Sequence, residues 1–120
     1  MSFDWSEYFS YAENIFSDIS VDECSCRVGI SRFYYSAYHK AKQYALFKSI
    51  HILSGGSEHE KLWNSLAQSE DDNARRMASL GNTLKRLRKI SDYDAGHSID
   101  RRQLEIAYNC AKKIFDLCRM

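Results

Sequence analysis

Apolar residues recur at three- and four-residue steps along most of this chain, the period of a helix with one buried face. The first such row, Trp5, Tyr8, Phe9, Ala12, Ile15, Phe16 and Ile19, predicts a helix over about residues 3–19, capped by Asp4 or Ser2. A second, longer segment opens at Asp22 and reaches about Ser49. Gly29 inside it costs up to ~1 kcal/mol relative to Ala without breaking the helix. The stretch from His51 to Ser54-Gly55-Gly56 reads as a loop, and Ser57 with Glu60 forms a capping box that opens a short helix through about Ala67. After a connection at residues 69–72, a fourth helix runs from about Asn73 to Ile90 or slightly beyond, with Met77, Leu80, Leu84, Leu87 and Ser91 in one stripe. The segment from Asp92 to Ser98, containing Gly96, turns the chain. Ser98 or Asp100 then caps a last helix with Leu104, Ala107, Tyr108, Ala111, Ile114, Phe115 and Cys118 on its apolar face.

Four long amphipathic helices and one short one, each with a face to bury, predict an all-α, up-and-down antiparallel bundle. The 120 residues suit one domain over 1–120, and the absence of proline with only five glycines removes the usual interrupters of helices. A net charge near +1 and 28% charged residues describe neither a basic nucleic-acid sponge nor an acidic disordered tail. The opening MSFDWSEYFSYAENIF has no basic region ahead of an apolar core, and no run approaches the ~18 apolar residues of a membrane span. A cytoplasmic protein with no membrane association is expected. Cys24, Cys26, Cys110 and Cys118 then read as reduced thiols, and their spacing suggests packing rather than a zinc site, so neither a metal nor another cofactor is expected.

The second helix carries two rows. Ile30, Phe33 or Tyr34, Ala37, Ala41, Tyr44 and Lys48 make a core-facing row, whereas Arg32, Tyr35, His39 and Lys42 recur on another that is polar and aromatic at once. Arg32 and His39 lie ~10 Å apart along the axis and within ~20° of the same side. The fourth helix ends in a second polar group, Lys85, Arg86, Arg88 and Lys89, followed by Asp92-Tyr93-Asp94 and His97. Arg88 and Asp92, four apart, are spaced to pair.

Ser31-Arg32-Phe33-Tyr34-Tyr35-Ser36-Ala37-Tyr38-His39 on an early helix and Leu87-Arg88-Lys89-Ile90-Ser91-Asp92-Tyr93-Asp94 on a late one resemble the HEPN superfamily, in particular its small prokaryotic branch. The resemblance implies a helical bundle, usually a homodimer, often encoded beside a minimal nucleotidyltransferase in bacterial toxin–antitoxin or phage-defence loci. Some members are metal-independent ribonucleases with an active site of Arg, four to six residues, then His. Histidine there acts as general acid or base while arginine stabilises charge on the phosphorane. In nuclease members this motif sits near the end of a late helix, where Arg88 is, but the first histidine after Arg88 is His97, eight residues on. Arg32 and His39, with six residues between them, meet the spacing on the early helix instead. Arg32, His39 and Arg88 are therefore the candidate catalytic groups, with Tyr35, Asp92 and Tyr93 supporting or binding substrate.

Each assignment has a structural counterpart. Arg32 could stack on rings and pair with Asp92 or Asp94, and His39 could bond a carbonyl or a tyrosine hydroxyl. Arg88, Asp92 and Tyr93 could lock helix four onto helix two. The basic run Lys85, Arg86, Arg88 and Lys89 could engage RNA phosphates or be a solvated face. His51, His59 and His97, near predicted loops, read most simply as solvent-exposed. The alternative to a ribonuclease is a non-catalytic module that docks on a nucleotidyltransferase or another effector through its aromatic helix face.

Overall fold

Short polar side chains decide where the helices begin. In the computed structural model, which describes residues 2–119, these helices are α1 (Ser6–Ser17), α2 (Glu23–Phe47), α3 (Glu58–Ala67), α4 (Asp72–Tyr93) and α5 (Arg101–Leu117). The Asp22 carboxylate accepts from Ser25 N–H to start α2, and Asp71 accepts from Ala74 N–H to start α4. Reciprocal capping boxes, Ser57 with Glu60 and Asp100 with Gln103, start α3 and α5. The fold is the all-α up-and-down bundle that the patterning predicts.

The first helix is shorter than its apolar period suggests. The Asp18 carboxylate accepts from both the N–H and the hydroxyl of Ser20 (2.9 and 2.7 Å), which turns the chain before Ile19 can join the buried face, leaving Ile19 86% exposed. At the other end Asp4 binds Ser6 in the same way, and the helix starts two residues later.

Helix α2 is the spine, packed by α1, α4 and α5, with α3 laid mainly on α4. Its neighbours bury it on most sides, so Cys26, Gly29, Ser31, Ser36, Tyr38 and Ala45 join the expected row of Ile30, Phe33, Tyr34, Ala37, Ala41 and Tyr44 in the core. Lys48 belongs to that row by period but lies past the helix end and is exposed, its ammonium 5.8 Å from the Tyr44 ring. The Tyr44 hydroxyl donates to Asp71 at 2.6 Å, tying the last turn of α2 to the cap of α4.

The end of α4 is secured by a residue outside both motifs. Arg27 donates through Nη1 to the carbonyls of Ile90, Ser91 and Asp94 at 3.1, 3.0 and 3.1 Å, and through Nη2 to the His97 carbonyl. Glu23 holds its guanidinium at 2.9 Å and also accepts from Ile99 N–H. One arginine thus binds the last turn of α4 and the chain that leaves it, and among these carbonyls it gives Ser91 a partner that a helix C-terminus does not supply. Arg27→Met is expected to cost about 2 kcal/mol in urea unfolding. A cost below a few tenths would show that water replaces these bonds freely.

Candidate active site

Helical period separates the rings of α2 onto two neighbours. Arg32 and His39 face α1: the Arg32 guanidinium sits 4.9 Å from the Tyr8 ring centroid, and the His39 ring stacks on Trp5 at 3.6 Å with 9° between planes. Burial, Lys42 and His59 together hold the His39 pKa below the usual histidine value. Neither residue pairs as the structural alternative suggested, since Asp92 and Asp94 take other partners and His39 is held by stacking. Arg32 does share an open cleft of about 500 Å³ with Ser31, Ser91 and Asp92.

Tyr35 turns the other way, to α4. Arg88 Nη2 donates to the Tyr35 hydroxyl and, at 3.3 Å, to the Tyr93 hydroxyl. Its Nε lies 3.0 Å from Asp92 Oδ2 in an ion pair that lacks hydrogen-bond alignment, leaving Nε buried without a hydrogen bond. The guanidinium carbon stands 5.1, 5.3 and 5.9 Å from the Tyr35, Tyr93 and Tyr34 ring centroids. Arg88 is thus ringed by three tyrosines and a carboxylate, with its side chain 15% exposed. Nη1 makes no hydrogen bond among the described residues and is not a buried orphan, so it opens to solvent.

His59 completes this cluster, a correction to its reading as a solvent-exposed residue near a loop. It is half-buried on the first turn of α3, stacked on Tyr38 at 4.2 Å, with Nδ1 2.5 Å from the Tyr34 hydroxyl. That hydroxyl in turn accepts from the Trp63 indole N–H at 3.1 Å. Burial, reinforced by the positive charges of Arg88 and Lys85, pushes the His59 pKa down, and burial pushes the Tyr34 phenol up to about 12. Neutral His59 and neutral Tyr34 are therefore the prevailing forms at pH 7. A readable signal was present: Trp63, four residues after His59, is fully buried, so both lie on the inward face of α3. Of the other two histidines, His51 and His97 are exposed.

A family model described as HEPN domain matches residues 6–120. The chain belongs to the HEPN family. Comparison with curated proteins and with solved structures gave no match.

In this HEPN chain the two sequence motifs are in contact. Ser31 Oγ donates to Asp92 Oδ2 at 3.3 Å, and Tyr35 meets Arg88. Of the six residues singled out from the sequence, Tyr35, Arg88, Asp92 and Tyr93 form one cluster, while Arg32 and His39 pack against rings on the α1 side, Arg32 on Tyr8 and His39 on Trp5. No helix of the HEPN fold described here is long and apolar enough to cross a membrane. Among the described residues no group of three or more His, Cys, Asp or Glu is arranged to hold a metal, and the four cysteines are unpaired.

Proposed function

We propose that this HEPN protein is a metal-independent RNA endonuclease, or a derivative of one, of a bacterial toxin–antitoxin or phage-defence system. The observation that carries the reading is Arg88: a guanidinium fixed on three sides by Tyr35, Tyr93 and Asp92, with Nη1 left open. A donor held in place before substrate arrives spends little reorganisation on the charge that develops at a phosphorane. Lys85 and Lys89 on the same helix add positive charge for an RNA backbone. Arg32, at the open cleft beside Asp92, is suited to a neighbouring phosphate, and His39 is a proton-transfer candidate on the α1 side. Tyr93, 75% exposed, offers a ring to a base.

A homodimer would bring two such sparse sites together. The second reading, a docking module for a minimal nucleotidyltransferase or another effector, is favoured by a different surface. Leu46, Phe47 and Ile52 are 72%, 64% and 44% exposed around the end of α2, an apolar patch of the kind that partners cover.

Purified protein incubated with tRNA or total RNA in EDTA separates the two. Cleavage by wild type that falls in Arg88→Lys and Arg88→Ala, with helical content intact by circular dichroism, supports the enzyme. His39→Ala in the same assay tests the α1-side histidine. No cleavage by folded wild type at high protein concentration would sink the ribonuclease reading in favour of the docking module.

A further inference from the structure

We infer that His59, carried on α3 outside both sequence motifs, is the proton-transfer group that works with Arg88, and that Tyr34 is the positioning residue that fixes its ring. The inference rests on the ribonuclease reading and places its proton transfer on His59 in place of His39. His59 and Arg88 flank the same pair of rings. His59 lies 5.5 and 5.9 Å from the Tyr34 and Tyr35 centroids, and Arg88 stands 5.9 and 5.1 Å from them. His59 Nε2 has no hydrogen bond among the described residues and is not a buried orphan, so like Arg88 Nη1 it faces solvent. Two uncommitted polar atoms of the right kinds thus open beside one aromatic wall.

The wall also explains how the imidazole keeps its place through a proton cycle. The Tyr34 oxygen accepts from Trp63 and retains both its own proton and a second lone pair. It accepts from Nδ1–H both while Nε2 is free and after Nε2 has taken a proton, and it donates to Nδ1 only in the neutral tautomer whose single proton is on Nε2. Tyr38 stacked on the ring adds a restraint that is indifferent to charge. In cleavage, neutral His59 takes the ribose 2′-OH proton on Nε2 as the 2′ oxygen–phosphorus bond forms and the bond from phosphorus to the 5′ oxygen breaks. Water protonates the departing 5′ oxygen, and the imidazolium returns its proton to the hydroxide so formed. The products are a 2′,3′-cyclic phosphate and a 5′-hydroxyl, while Arg88 Nη1 serves the non-bridging oxygens.

The groups facing His59 are Tyr34, Tyr35, Tyr38, His39 and Lys42 from α2, Glu58 from α3, and Lys85 and Arg88 from α4. Burial of the ring, with cations that outnumber Glu58 around it, places the acid limb of the cleavage pH profile below the ordinary histidine value. A base must be deprotonated, and activity therefore rises with pH through that limb.

The test combines cleavage of a short oligoribonucleotide in EDTA with nuclear magnetic resonance titration of His59, alone and with uridine 3′-monophosphate. His59→Gln is expected to lose at least about 100-fold in rate. Tyr34→Phe is expected to lose roughly tenfold while staying folded, and to change the ¹⁵N shifts that report the His59 tautomer. Bound uridine 3′-monophosphate should raise the His59 pKa in wild type. If wild type cleaves and His59→Gln cleaves equally well, the His59 assignment is overturned while the ribonuclease reading stands. An inactive, folded wild type overturns both.

Discussion

Arg88→Ala is expected to lower the free energy of unfolding by about 3–4 kcal/mol, well beyond the cost of an ordinary surface arginine. The reason is what it leaves behind. Asp92, with its side chain 27% exposed, loses its countercharge, and the Tyr35 hydroxyl loses its donor. Ser31 alone then serves the carboxylate, at 3.3 Å. Because most of the cost is an orphaned charge rather than a lost attraction, Arg88→Met combined with Asp92→Asn should recover a large part of it. Arg88→Lys separates charge from shape. An ammonium keeps the positive charge but lacks the fork that reaches Tyr35, Tyr93 and Asp92 together, so it should recover only a minority of the stability. Urea unfolding of wild type, Arg88→Ala, Arg88→Lys, Arg88→Met, Asp92→Asn and the double variant checks this; additive losses in the Arg88→Met, Asp92→Asn double variant would remove the orphaned charge as the explanation.

The same arginine shows how far the sequence could be read. Its four-residue spacing from Asp92 predicted the ion pair, and the Ser57/Glu60 pattern located the start of α3, because caps are local chemistry; for α5 the sequence left Ser98 or Asp100 as the cap, and Asp100 holds it. Ile19 misled for the complementary reason: periodicity continued through it, while the Asp18–Ser20 turn had already taken the backbone out of the helix. The split of the polar row on α2 needed knowledge of its neighbours. At about 100° per residue, Tyr35 lies about 60° from Arg32 and about 40° from His39, on the side of Tyr38. A row that wide spans two helix contacts, and spacing alone does not say that one is α1 and the other α4. His59 was hidden by its place beside a loop, although the buried Trp63 one turn later fixes the face it shares. The site is thus legible where it depends on pairs within one helix and illegible where α2, α3 and α4 must be brought together.

Gly81→Ala is expected to destabilise the protein by about 2 kcal/mol, even though alanine favours a helix interior by up to ~1 kcal/mol over glycine. A β-carbon at Gly81 would lie 2.4, 2.5 and 2.6 Å from three Trp63 ring carbons, and that indole is fully buried between α3 and α4 with nowhere to swing. Gly29 offers the contrast: its nearest neighbour is the end of the Leu104 side chain at 2.8 Å, which rotates more cheaply than an indole moves. The consequence reaches the candidate site, because Trp63 N–H holds the Tyr34 hydroxyl, which holds His59. A shifted indole should therefore change the His59 ¹⁵N shifts as Tyr34→Phe does, and slow any cleavage that depends on ring orientation. A double-mutant cycle isolates the cause. With Trp63→Leu the space beside Gly81 is vacated, so adding Gly81→Ala should cost nothing or stabilise, a reversal of sign that only direct contact between the two positions produces. Equal losses from Gly81→Ala in both backgrounds would mean that the glycine serves the α4 backbone and not the seat of Trp63.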